Sequence, residues 1–183
     1  MKYAFFVFLF LAVLSFTWMR MHQYGFEQST GSSFNVMDFE LPGSVDNFNN
    51  LLKKWSSEEE KAFILKQLWI DYFFMSTLFP ALFILCLWAR KMAIEREKLL
   101  GHKGRYQGMK VILSTLAGMQ LLAWVFDIVE NVRLTTWINQ GYAENLFLFE
   151  DMVRLKFFFG IVGALTAMSV IAFTRYRKNQ PLS

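Results

Sequence analysis

Four apolar segments, each close to bilayer-spanning length and separated by charged stretches, constrain this chain more than any other feature. They occupy residues 3–19, 68–89, 111–131 and 157–174. A helix needs about 20 mostly apolar residues to cross about 30 Å of hydrocarbon. A chain of 183 residues has too small an interior to hide four such surfaces from water. The reading is an all-α, integral membrane four-helix bundle. Subtracting the spans leaves too little sequence for a separate soluble domain, so residues 1–183 are expected to form a single membrane domain.

The net charge of +4 divides by membrane side into a topology signal, and no nucleic-acid partner is expected. The N-terminus, the 90–110 loop and the tail together carry eleven basic residues against Glu95 and Glu97, a balance of +9. Residues 20–67 and 132–156 carry −2, and Asp71, Asp127 and Glu130 fall inside spans. By the positive-inside rule both termini and the 90–110 loop are cytoplasmic, and residues 20–67 and 132–156 are external. The location this implies is the plasma membrane. The first segment lacks a small-x-small cleavage pattern, so it reads as an uncleaved anchor, not a signal peptide. The basic loop suits anionic lipid headgroups, and secondarily a protein partner. The single cysteine, Cys86, excludes an intrachain disulfide and thiol redox chemistry.

Residues 20–67 carry apolar anchors such as Phe34, Phe39, Phe48 and Trp55, so they are expected to fold into a small external helical cap. Phe39-Glu40-Leu41-Pro42-Gly43 reads as an extended piece ending in a turn, with Ser44 capping a short helix through Leu52. Ser57 and Glu60 have capping-box spacing, placing a helix start near Glu58 that runs into the second span. Pro80 sits within that span, where a kink is the ordinary consequence. Ser114 with Gly118, and Gly160 and Gly163 with Ala164 and Ala167, read as close-packing seams.

Ionisable residues inside spans are functional candidates because they are costly there. Opposite-running spans bring Asp71 to the depth of Asp127 and Glu130 near the external boundary, under the cap. Gln67 lies one turn before Asp71, and Gln120, Trp124, Asp127, Glu130 and Asn131 form a polar stripe along the third span. Asp71 starts its helix, where the dipole favours a carboxylate; Asp127 and Glu130 end theirs, where it does not, and they repel each other. A structural ion pair with Arg133, Arg154 or Lys66, a bound cation, or a protonated carboxyl would each answer that repulsion. Glu40 is a further candidate if the cap folds its carboxyl down; a solvent-facing acid is the commoner outcome. His22 and His102 fall on opposite sides and read as solvated loop histidines. Oxygen donors suit a hard divalent cation, but no His-rich or cysteine spacing accompanies them, so no metal and no cofactor is expected.

Asp38-Phe39-Glu40-Leu41-Pro42-Gly43-Ser44, Trp55, Asp71-Tyr72 and Asp127-x-x-Glu130-Asn131 together resemble a widespread group of small bacterial four-span membrane proteins without an assigned activity. The resemblance covers most of the chain and implies fold and location only. From the residues themselves, three functions remain open. The first is a binding or accessory protein with a carboxylate-lined outer-leaflet site and membrane lipids as partners. The second is an enzyme using Asp127, Glu130 and Asp71 in acid/base or metal-assisted chemistry on a lipid-like substrate. The third is a proton or cation pathway.

Overall fold

The computed structural model describes residues 1–100 and 106–178 and is helical, with no strand among the described residues. In chain order the helices are α1 (Lys2–Thr30), α2 (Val36–Glu40), α3 (Val45–Lys54), α4 (Glu58–Leu100), α5 (Gln107–Gln140) and α6 (Phe149–Lys178). Helices α1, α4, α5 and α6 are long and apolar enough to cross a membrane, and the protein is a multi-pass membrane protein. Helices α4, α5 and α6 pack on one another, while α1 packs along α4. Only 11% of the apolar window of α1 is buried, against 44% for α4. Helix α1 is therefore the peripheral member, and its Phe6, Phe10 and Leu14 remain exposed on a surface suited to lipid.

The helices outrun the apolar segments. At 1.5 Å per residue, the 43 residues of α4 extend to about 65 Å, twice the hydrocarbon thickness. At the cap end, α1 continues to Thr30, α5 to Gln140, and α6 begins at Phe149, eight residues before the expected span. Hydropathy misses these turns because they are apolar on one side only. Phe26, Trp137, Phe149 and Val153 turn that side into the cap core. At the opposite end the basic 90–98 stretch is the end of α4, not a loop, and Lys110 on α5 pairs with its Glu97.

The cap core is aromatic. Phe26 stacks on Phe63 at 3.9 Å between centroids, and Phe48 meets Trp137 edge-on at 5.3 Å. Ser44 caps α3 by accepting from the Asn47 amide, and Ser57 and Glu60 close their capping box reciprocally. Phe39 and Glu40 are helical, not extended as expected, and the turn expected at the end of the stretch falls at Gly43, φ 77°. Asn35 caps one helical turn, α2, whose amide bonds would otherwise be unmet over buried Phe39. The cap is fastened across the fold, since Asn49 exchanges two hydrogen bonds with the Ala143 backbone and the Gly43 amide donates to Glu150. Gly141 ends α5 at φ 79°, a left-handed conformation that L side chains adopt at a cost.

The second core, toward the other end, joins Cys86, Ala89, Leu113, Ala117 and Ala167. Gly163 lets the Gln120 side chain lie directly on the α6 backbone, where any Cβ would collide with it. Ser114 and Gly118 do not form a seam: both are exposed, and nothing lies within 4 Å of a Cβ placed at Gly118.

Candidate functional site

Beneath the cap, where α4, α5 and α6 converge, a fully buried lysine stands among carboxylates. Lys156 is 0% exposed. Its Nζ lies 2.6 Å from Glu130 Oε2, 3.0 Å from Asp127 Oδ1 and 3.6 Å from Glu40 Oε1. An ammonium removed from water is tolerable only with such partners. The positions follow from helix geometry. Asp127 and Glu130 are three residues apart on one face of α5, and Lys156 occupies the second turn of α6, ahead of its apolar run. Glu40, the last residue of α2, enters from the cap and is 3% exposed, so the solvent-facing expectation is overturned. Burial pushes the Glu40 carboxyl above its ordinary range, against the pull of Lys156.

Asn131 extends the network. Its amide nitrogen donates to Asp127 Oδ2 at 3.2 Å and to Asp71 Oδ2 at 3.4 Å. Asp71, Asp127, Glu130, Asn131 and Glu40 are thus brought together. Four carboxylates surround a single lysine, and Asp71 is the one with no cation in ion-pair range among the described residues.

Gln120 and Trp124 share the stripe on α5 but not the cluster. Gln120 donates to the Phe159 carbonyl at 2.7 Å, and the Trp124 indole donates to Ser76 at 3.3 Å; both are helix-to-helix ties. Gln67 turns to α1 instead, bonding His22 at 2.9 Å. His22 is accordingly not a loop residue: it stacks on Phe63 at 5.0 Å. His102 lies outside the described residues.

The expected counter-charges are elsewhere. Arg133 donates to the Phe147 and Asn145 carbonyls, Arg154 pairs with Glu150 and Asp151, and Lys66 is exposed. Loop carbonyls meet Arg133, surface acids meet Arg154 and solvent meets Lys66, so none of the three enters the cluster. Lys156 does their part, and sequence reasoning missed it because a lysine just ahead of an apolar run looks like a flanking charge. The available signal was the helical register of Val153 and Lys156, three apart on one face.

An open groove of about 320 Å³ runs between α4 and α5 beside the cluster. Leu68, Trp69, Tyr72, Val132 and Thr135 line it, together with Asn131, which also holds Asp71 and Asp127. Its lining is mostly apolar, with Asn131 and the hydroxyls of Tyr72, Thr135 and Thr136 as polar groups. Among the described residues no three His, Cys, Asp or Glu side chains are grouped to hold a metal ion. No family model, no curated protein and no solved structure matches this chain.

Proposed function

We propose that this is a binding protein of the plasma membrane, taking a lipid-like ligand at the outer leaflet with its polar end against the carboxylate cluster. The observation that carries the reading is the double role of Asn131, which lines the α4–α5 groove and hydrogen-bonds Asp71 and Asp127. An apolar channel open to lipid and ending on a few placed polar groups is the general form of a ligand site. The charge split of +9 against −2 supports an outward-facing cap with both termini in the cytoplasm. The ammonium of Lys156 fills the centre of the cluster, which favours binding over a cation pathway.

Native mass spectrometry of detergent-solubilised protein tests the reading. Thr135 is an exposed wall residue, so Thr135→Trp fills the groove without entering the core. The variant is expected to melt with wild type and to lose co-purifying lipid. Equal lipid retention by the two proteins would remove the groove from the account.

A further inference from the structure

The buried carboxyl groups beside the groove, and Asn131 on its wall, are short of hydrogen-bond donors. Lys156 serves Glu40, Asp127 and Glu130, and the only donor to Asp71 among the described side chains is the Asn131 amide at 3.4 Å, a long bond. Having turned its nitrogen toward two aspartates, Asn131 has a carbonyl oxygen that accepts nothing among the described residues. Behind it, Glu40 Oε2 and Glu130 Oε1 also lack a donor, on side chains 3% and 1% exposed. On the groove wall, Thr136 gives its hydroxyl proton to the Val132 carbonyl at 2.8 Å and keeps only acceptor capacity. No Lys or Arg lines the groove, whereas Trp69 and Tyr72 offer ring faces.

A site with unmet acceptors and aromatic faces beside a buried carboxyl that has no cation of its own complements one head chemistry. We propose that the ligand is an amphiphile with a primary ammonium head, which donates to Asp71 and the Asn131 carbonyl while its tail lies in the α4–α5 groove. The inference rests on the groove being the ligand site. An ammonium brings three donors and a positive charge to Asp71, which has one long hydrogen bond and no cation in ion-pair range among the described residues, and it can lie against Trp69 or Tyr72 in a cation–π contact. A phosphate or sulfate head would face the Asp71 carboxyl and find no Lys or Arg on the groove wall. A quaternary ammonium would keep the charge but donate nothing.

Amphiphiles with one tail and different heads separate these cases. Dodecylamine, dodecyltrimethylammonium, dodecanol and dodecyl sulfate would be titrated against the full chain in a non-ionic detergent at neutral pH. Hydrogen bonds to a charged group lead us to expect dodecylamine to bind about tenfold to a hundredfold tighter than dodecanol, with the trimethyl compound between them. Asp71→Asn should reduce that preference to about that of the alcohol while Thr135→Trp abolishes binding of all four. Equal affinity for amine and alcohol, or a preference for sulfate, would overturn the ammonium assignment yet leave the groove in place. Equal affinity for the amine and its trimethyl analogue would overturn the donor argument. Binding of none, or binding that Thr135→Trp leaves untouched, would instead remove the groove reading itself. The wild-type comparison decides the head chemistry even if Asp71→Asn folds poorly. Retention of phosphatidylethanolamine over phosphatidylglycerol would then assign the amine to a phospholipid, and indifference between them to a smaller amphiphile.

Discussion

Lys156 determines how four acids can share one buried space. Two of its ion pairs, at 2.6 and 3.0 Å, join α6 to α5, and the third, at 3.6 Å, reaches the cap. Removing one partner of a buried network leaves uncompensated charge, a cost of about 3–5 kcal/mol. Lys156→Met, close in length and without charge, should therefore lower the detergent-solubilised stability by about that much near neutral pH. A melting temperature equal to wild type at neutral pH would mean that the pairs contribute nothing net. Asp127 and Glu130 were identifiable as a pair in need of a partner from their repulsion at i,i+3; the helix end expected beside them lies at Gln140, and Asp71 stands well inside α4, so the helix dipole ranks none of the three. The partner was not identifiable, because Arg133 and Arg154 have more candidate positions in sequence than in space, and both are engaged elsewhere.

Among the elements, α2 and α3 depend most on what lies outside them. A five-residue helix has no stability alone; α2 is held through Phe39 in the aromatic core and Glu40 in the cluster. The groups facing Glu40 are Lys156 on α6 and Asp127 and Glu130 on α5. Because burial raises the folded value of Glu40 above its ordinary 4.5, its contribution is complete below that ordinary value and is lost as pH rises through the folded one. Cap docking should weaken toward alkaline pH, by up to about 1.4 kcal/mol per unit across the titration. Glu40→Gln resembles the protonated acid and should flatten that decline. Hydrogen exchange of residues 36–54, corrected for intrinsic rates, measures it; parallel pH curves for the two proteins would count against a titrating Glu40. The capping residues of these helices were legible because a cap is a local interaction. The helical turn at α2 was not, since its buried face is set by Phe34, by Phe48 on α3 and by Trp55.

At the scale of the whole molecule, charge and shape are polarised in the same sense, with the aromatic cap at one end and the basic residues of α4 and α6 at the other. With the cap outward, as proposed, a thiol introduced at Ser33 in a Cys86→Ala background should react with an impermeant reagent on intact cells. One at Lys98 should react only after permeabilisation. The reverse pattern would place the groove and its carboxylates in the inner leaflet. The bundle itself is less symmetric than four equivalent spans suggest: α4, α5 and α6 enclose the cluster while α1 lies on α4.

Four spans and the capping of α3 and α4 were determined by the sequence alone, because hydropathy over about 20 residues and a cap over four are local quantities. The same local signals ended the helices too early wherever a half-apolar turn packs beneath the cap, as at Phe26 and Phe149. Only the tertiary structure decided that Glu40 enters the cluster, that Lys156 balances it, and that Gln120 and Trp124 stand apart. Those outcomes depend on how α2, α4, α5 and α6 meet, since a buried charge chooses its partner by what else can shield it from a medium of low dielectric, and no spacing along one helix encodes that.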